Sequence, residues 1–472
     1  MSITEVEDQG CPLDPLVNKT VEFAYRGARL KFDLSHALFS SYDIDAGTRL
    51  LLKEIAADAE VTGAKRLLDA GCGTGIIGVS LAASCPEMDV VMRDRDFRAV
   101  AFSARNAARN GLGVRLFGLD GEELSACRTR TFAKVKCVTR VAGSLIAEPG
   151  ALGEPDPRGP YDAVVSNLPA KAGPKLLEHY FAFVRESLLN PGGTFAFVIV
   201  TPLAERARAW CASAGFTVAS AVSTKNHMVC VARAPSTVAR AARASNQSAR
   251  NATASDIEAR LWLSRYLRSH VARSIANAPL AWEGVQGLPE FDEPSYATVC
   301  ALELARKALA GQLVRRALVI EPGVGIAALW MRSALGPDEI VLHSHDALAL
   351  AASSHNLERG RPNGRPIKVV LSLEPPFYPK NVSSEGESAP LYKLEPHSVD
   401  AAMLFLEDIP RFDTSSRYWP LAERTLKRGG ALIIVAESTQ IDRAARQRPS
   451  GFSRIPYSER KKGWEAVAFR RD

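Results

Sequence analysis

Short apolar runs alternate with longer amphipathic stretches along most of the chain. In the first half, Arg66–Asp69, Asp89–Arg93, Val114–Phe117, Asp162–Ser166 and Thr194–Val200 read as strands, and the stretches between them have helix length. A closing hairpin is expected from Phe216–Ser223 and Met228–Arg233. This βα alternation predicts a mostly parallel sheet flanked by helices. The segment Gly121–Gly159 lengthens one connection, and Val138–Leu145 inside it is a further strand candidate.

The same pattern returns about 250 residues later. Leu67–Asp69 followed by Gly71, Gly73 and Gly75 is matched by Ala317–Ile320, Glu321, Gly323 and Gly325. Asp94–Val100 leading to Asn106, Asn110 and Gly111 is matched by Ser344–Leu350 leading to His355, Asn356 and Gly360. Tyr161–Val165 is echoed by Val399–Met403, and Pro191-Gly192-Gly193 by Arg428-Gly429-Gly430. Four anchors in one order imply an internal duplication. Between the copies, Ala232 to about Ser255 is rich in Ala, Ser, Arg and Asn. It reads as a linker, in part of helical register, whose arginines would meet phosphates or solvent.

The candidate chemistry sits on two strand edges of the first copy. Asp69 ends an apolar strand, and the turn Gly71-Cys72-Gly73-Thr74-Gly75 then permits tight turning and close backbone approach to a ligand, with free N–H groups expected over Thr74–Gly78. Asp94 follows 19 positions after Gly75, where an acid can accept hydrogen bonds from ribose hydroxyls. Ser166-Asn167-Leu168-Pro169 ends another strand, and in an open α/β sheet the two edges face one crevice. A nicotinamide enzyme is the weaker reading, because the glycine spacing is not GxGxxG.

Composition narrows the class without choosing a function. The chain has 472 residues, 46% hydrophobic and 24% charged, with net charge +7, which fits a globular protein of two or three domains and is compatible with a nucleic-acid partner. Eight scattered cysteines form no metal-binding or disulfide pattern, so no metal is expected, and Cys72 reads as a small buried filler. His343, His345 and His355 match no metal spacing and read as surface or helix-edge residues. No membrane span or secretory leader is visible, which makes the cytoplasm the expected location.

The segment Asp69–Gly75 resembles the cofactor loop of class I S-adenosylmethionine-dependent methyltransferases. More narrowly, Phe32 to Gly173 resembles the small-domain methyltransferases that modify ribosomal RNA guanine at its exocyclic N2. The likeness runs through Leu38–Leu51, the Asp69 loop, Asp94, Asn106, Asn110-Gly111 and the Asn167 edge. It implies an α/β chain of two tandem Rossmann-like methyltransferase domains: residues 1–234 catalytic, 235–256 a linker, 257–472 a degenerate copy. It implies S-adenosylmethionine as cofactor, held by Asp69, Gly71, Cys72, Gly73 and Gly75, with Asp94 on the ribose and Asp45, Gly47 and Thr48 covering it. Asp120 or the Gly143/Ser144 region would contact the adenine. Asn167, Leu168 and Pro169 would be catalytic, the Asn167 side chain and the Leu168 carbonyl accepting from the target amine.

The chain departs from its family at this edge. The family motif is Asn-Pro-Pro followed by Tyr or Phe, whereas here Ala170 follows Asn167-Leu168-Pro169. The aromatic that would stack on a planar target is missing, and Phe39 or Tyr42 could replace it. In the second copy Phe405-Leu406-Glu407 takes the place of Asn167-Leu168-Pro169. With Glu321 set against Asp69, Ile326 stands for Thr74 and Ala327 for Gly75. The expected function is methylation of a base amine in ribosomal RNA, with RNA as partner and no membrane. The alternatives are methylation of a protein side-chain amide or a small molecule, and a non-catalytic RNA-binding assembly factor.

Overall fold

The computed structural model describes residues 13–119, 121, 123, 144–236, 262–359, 367–373 and 395–472. The described chain divides into two compact units. Residues up to 170 and from 180 to 236 form the first; residues 171–179 and those from 262 onward form the second. The expected linker, residues 235–256, falls almost wholly outside the described residues. In the linker-like stretch read from Ala232, Ala232 and Arg233 still belong to a strand.

The first unit opens with a hairpin, β1 (Val17–Tyr25) and β2 (Ala28–Ser35), which the apolar pattern did not announce. Its main sheet contains β3 (Arg66–Ala70), β4 (Asp89–Asp94), β5 (Arg115–Leu116), β6 (Leu145–Pro149), β7 (Tyr161–Asn167), β8 (Leu189–Val200), β9 (Thr217–Ser223) and β10 (His227–Arg233). The order is β5-β6-β4-β3-β7-β8-β10-β9. All neighbours are parallel up to β8, and the last two strands run antiparallel. The strand beside β4 is therefore β6. The expected third strand at Val114–Phe117 shrinks to a two-residue edge, β5. Both runs are apolar and short, so periodicity alone could not rank them.

The second unit repeats this plan with a hairpin, β11 (Leu267–Ile275) and β12 (Ala278–Val285). Its sheet contains β13 (Arg316–Ile320), β14 (Glu339–Ser344), β15 (Lys368–Leu373), β16 (Val399–Phe405), β17 (Leu426–Glu437), β18 (Phe452–Lys461) and β19 (Trp464–Arg471), in the order β15-β14-β13-β16-β17-β19-β18. Both sheets are therefore doubly wound with a switch point beside the central strand, the place where such folds bind ligands.

The duplication extends to individual hydrogen bonds. Asp162 Oδ2 accepts the amides of Lys65 and Arg66 at 3.1 and 3.0 Å, and Asp400 Oδ2 accepts those of Arg315 and Arg316 at 2.9 and 2.8 Å. Buried Asn106 donates to the carbonyls of Thr74 and Asp33 and accepts the Asp33 amide. Asn356 does the same with Val324 and Glu283. Each asparagine latches the hairpin to the turn after the central strand, and an amide suits the task because it offers both donors and an acceptor.

Candidate functional site

Asp69 ends β3 and is fully buried. Its Oδ2 accepts the Gly78 amide at 2.8 Å, whereas Oδ1 has no hydrogen-bond partner. Gly78 permits this approach, because a Cβ there would lie 2.5 Å from Met92 and 3.1 Å from Asp69 Oδ2. Burial pushes the Asp69 carboxyl up to about 7; the Gly78 hydrogen bond opposes the shift and the charge of Asp94 adds to it. The Gly78 amide is thus engaged, contrary to the expectation of free N–H groups as far as that residue.

The turn after β3 needs its glycines. Gly71, Gly73 and Gly75 have φ of 75°, 55° and 80°, in the left-handed region. A Cβ on Gly75 would lie 2.9 Å from Ser103, whereas at Gly71 and Gly73 it would meet nothing within 4 Å. Close packing fixes the third glycine, and the first two leave open space beside the strand edge. Cys72 is buried and touched by the Ser103 hydroxyl. Burial and then the charges of Asp94 and Asp69 raise its thiol well above the usual range, so it is a filler and no nucleophile.

Asp94 ends β4 on the same edge. It accepts from the Gly73 amide and the Asp96 amide, each at 3.0 Å. Burial lifts its carboxyl to about 6 against those two hydrogen bonds. The partner of this edge on β6 is Pro149, and the Gly150 amide donates to the Asp94 carbonyl at 2.8 Å. Pro149–Ala151 therefore stands where the adenine-side contact was sought. Ser144 sits at the opposite end of β6, bonded to Asp89 at the start of β4, which removes it as a candidate. Asp120 and Gly143 lie outside the described residues.

Sequence reasoning missed the support of this loop. Arg93, nearly buried, faces Glu148, Glu154 and Asp156 at 4.0, 3.8 and 3.6 Å and donates to the Pro155 carbonyl. Gly150 lets the guanidinium pass, since a Cβ there would lie 1.9 Å from Arg93 Nε. The acids after β6 were the available signal.

Asn167 ends β7. Its Nδ2 lies 2.9 Å from Asp45 Oδ2 and 2.9 Å from Thr48 Oγ1, and its Oδ1 has no hydrogen-bond partner among the described residues. Asp45 caps the helix Ala46–Ile55 by accepting the Thr48 amide at 2.9 Å. Gly47 brings that helix end close, because a Cβ would lie 3.0 Å from Asp45 Oδ2 and from His227. The Leu168 amide is held by the Val198 carbonyl at 3.0 Å, which fixes the next peptide. Pro169 is exposed. Phe39 and Tyr42, on the loop before Asp45, are 76% and 63% exposed, unusual for aromatics in a soluble domain.

The corresponding crevice of the second unit is filled. The structural match carries Arg66 to Arg316, so Glu321 takes the place of Gly71, not of Asp69, whose place is taken by Val319. Val324 and Gly325 then stand for Thr74 and Gly75; Gly325 starts its helix at φ 96°, as Gly75 does at 80°. Glu321 is held at φ 57°, costly for a residue with a Cβ. Its carboxylate accepts from the Ser344 hydroxyl at 2.7 Å and lies 2.9 Å from His345 Nδ1, while His345 Nε2 lies 3.5 Å from Glu407. The ligating atoms of Glu321, His345 and Glu407 lie within 4.8 Å of one another. The imidazole presents one nitrogen to each carboxylate, so the trio bridges the crevice. The expectation of surface or helix-edge histidines fails for His343, fully buried on Ser372, and for His345, also buried, whereas His355 lies half-buried on a helix and pairs with Glu283. A strand end exposes a side chain only when the crevice beyond it is open.

The fold and the first crevice define a Rossmann-like α/β domain, repeated once along the chain. Residues 29–134 match the model of the methyltransferase small domain. Curated relatives match part of the chain. A protein of Bacillus subtilis named only as uncharacterized protein YbxB is 36% identical over 103 residues, 22% of this chain and 50% of its own length. Ribosomal RNA large subunit methyltransferase G of Streptomyces avermitilis is 36% identical over 92 residues, 19% of this chain and 23% of its own. Ribosomal RNA small subunit methyltransferase C of Hahella chejuensis is 37% identical over 84 residues, 18% of this chain and 23% of its own. The chain thus spans half or less of the relatives it matches. Among solved structures, the T. thermophilus 16S rRNA N2 G1207 methyltransferase, in complex with AdoMet and guanosine, aligns over 97% of this chain and 99% of its own at TM-score 0.57 and 15% identity, a likeness of fold. Among the described residues no helix is long and apolar enough to cross a membrane.

Proposed function

We propose that the chain is an S-adenosylmethionine-dependent methyltransferase that modifies an exocyclic amine of a base in ribosomal RNA, with the first unit catalytic and the second non-catalytic. The observation that carries this reading is Asn167, an amide whose unpartnered oxygen stands at a strand edge of the crevice flanked by Gly71, Gly73 and Asp94. The first crevice fits the cofactor: two glycines bear open space, and the Asp69 carboxylate keeps an oxygen without a partner. The second does not, because Glu321 and His345 stand in it.

When bound, S-adenosylmethionine supplies a methyl group on a positively charged sulfur. Asp94 would accept the ribose hydroxyls with its remaining lone pairs, and the glycine turn would admit the methionine portion. The Asn167 oxygen and the Leu168 carbonyl would accept the two N–H bonds of the target amine. An exocyclic base nitrogen is a poor nucleophile because its lone pair is delocalised into the ring. Two fixed acceptors orient it toward the methyl group and stabilise positive charge as it develops. The exposed Phe39 and Tyr42 offer faces for a base, in place of the aromatic missing after Pro169.

The test uses purified full-length protein, tritiated S-adenosylmethionine, and separately unmodified ribosomal RNA, total RNA and protein extract. Label in ribosomal RNA that disappears with Asn167→Ala supports the reading. Label confined to protein or small molecules moves the assignment to those substrates. Bound cofactor with no label anywhere favours a non-catalytic role.

A further inference from the structure

We propose that Asp45 and Thr48 are positioning residues that lock the amide of Asn167, so that it meets the substrate only as an acceptor. The inference rests on the reading of Asn167 as the group that orients the target amine. It names what gives that amide its direction.

The chemistry of the partners sets the orientation. A carboxylate has no proton to give, so the Asn167 atom at 2.9 Å from Asp45 Oδ2 is the NH2 group; an amide oxygen there would face a second acceptor. The other hydrogen of Nδ2 points to Thr48 Oγ1 at 2.9 Å, and the Thr48 hydroxyl lies 3.4 Å from Asp45 Oδ2, to which it donates. The three side chains close a triangle that engages both amide hydrogens and leaves Oδ1 unpartnered. Acceptors on both N–H bonds also push electron density through the amide resonance onto Oδ1, which strengthens it as an acceptor.

The duplicate serves as an internal control. Ser295 occupies the place of Asp45 and caps its helix, accepting the Thr298 amide at 3.1 Å. Thr298 is kept as well, yet the strand end that bears Asn167 in the first unit bears Phe405 in the second. A helix cap alone is therefore met by serine in this fold. The carboxylate in the first unit goes with the amide it holds.

The decisive variant is Asp45→Ser, which keeps the cap on the model of Ser295. We expect a fall in kcat of roughly tenfold to hundredfold at saturating S-adenosylmethionine, because a loose acceptor misaims the amine. Asp45→Asn should fall less, since its amide oxygen can take the place of Oδ2 and accept the same three hydrogen bonds. Turnover is read with tritiated S-adenosylmethionine on unmodified ribosomal RNA transcripts. A second readout needs no turnover: in protein labelled with 15N-asparagine, the Asn167 side-chain pair is identified by its loss in Asn167→Ala. Asp45→Ser should shift that pair and speed its exchange with solvent. Unchanged kcat in Asp45→Ser beside an inactive Asn167→Ala would overturn the lock and leave the functional reading intact. Full activity in Asn167→Ala would overturn the functional reading, and an Asn167 pair unmoved by Asp45→Ser would overturn the lock whatever the substrate proves to be.

Discussion

Asp69→Asn separates stability from cofactor binding. The wild-type carboxyl is fully buried with one oxygen unpartnered, and its pKa is raised from 3.8 to about 7. Below pH 3.8 the folded and unfolded chains both hold this proton, and the group adds no penalty. Between 3.8 and 7 the unfolded chain releases the proton first, so stability falls as pH rises and levels off above 7. Asparagine at this position does not titrate. It can still accept the Gly78 amide, but it buries an unpaired NH2 at a cost of about 1–3 kcal/mol, independent of pH. The difference between variant and wild type therefore changes by about 3 kcal/mol from pH 5 to pH 8, the two units of the window at about 1.4 kcal/mol each. In a unit of this size that is roughly 6–12 °C of relative Tm. Asp94, lifted to about 6, is shared by both proteins and cancels. Calorimetry of the two full-length proteins at pH 5 and pH 8, without ligand, gives the double difference directly. Adding S-adenosylmethionine at pH 8 should raise the Tm of the wild type and leave Asp69→Asn where it was. Parallel pH profiles for the two proteins would refute the argument that Asp69 carries a buried, unrelieved charge.

Four further outcomes follow from the same geometry. Gly71→Glu imports the residue found at Glu321; it should cost about 1–2 kcal/mol in stability for the left-handed backbone and raise the Kd for S-adenosylmethionine by roughly a hundredfold or more in calorimetric titration. Titration of the wild type should give one cofactor per chain, and two would contradict the filled second crevice. Asn106→Ala removes three buried hydrogen bonds and should cost about 3–5 kcal/mol in urea unfolding; a loss under 1 kcal/mol would show that the latch is dispensable. Phe39→Ala and Tyr42→Ala should each leave Tm nearly unchanged, as expected of exposed residues, while raising the KM for RNA; an unchanged KM would remove these rings from the substrate path.

The sequence carried the central strands, the glycine turn and the duplication, because buried parallel strands are continuous apolar runs and a left-handed turn demands glycine. It did not carry which apolar run lies beside β4. That depends on pairing across a long insert, and Leu145–Pro149 won over Val114–Phe117 only through its register with Val90–Asp94. The two hairpins were not legible because their strands are largely polar without clear alternation, and Asn106 and Asn356, which hold them, show no periodic pattern. Asp45 was legible as a site residue through resemblance. Its bond to Asn167 was not, since the two lie 122 positions apart.

The two units show which residues work as sets. The frame is kept on both sides: Ser103 and Ser353 each bond the middle glycine of the turn, and Asp162 and Asp400 each hold the start of the central strand. The site residues differ in linked groups. Where Asp69 becomes Val319, Gly78, which feeds it an amide and makes room for it, becomes Ala328, and both replacements are buried. Where Asn167 becomes Phe405, the carboxylate of Asp45 becomes the hydroxyl of Ser295. Where Gly71 becomes Glu321, the place of Arg95 holds a histidine that pairs with it. A buried acid whose charge nothing relieves costs the fold stability, so once a unit no longer binds a cationic ligand, Val and Ala in place of Asp and Gly are the more stable choice. The survival of Asp69, Gly78, Asp45 and Asn167 together in the first unit is thus a physical argument that this crevice binds its ligand, because each member of the set is costly or idle without the others.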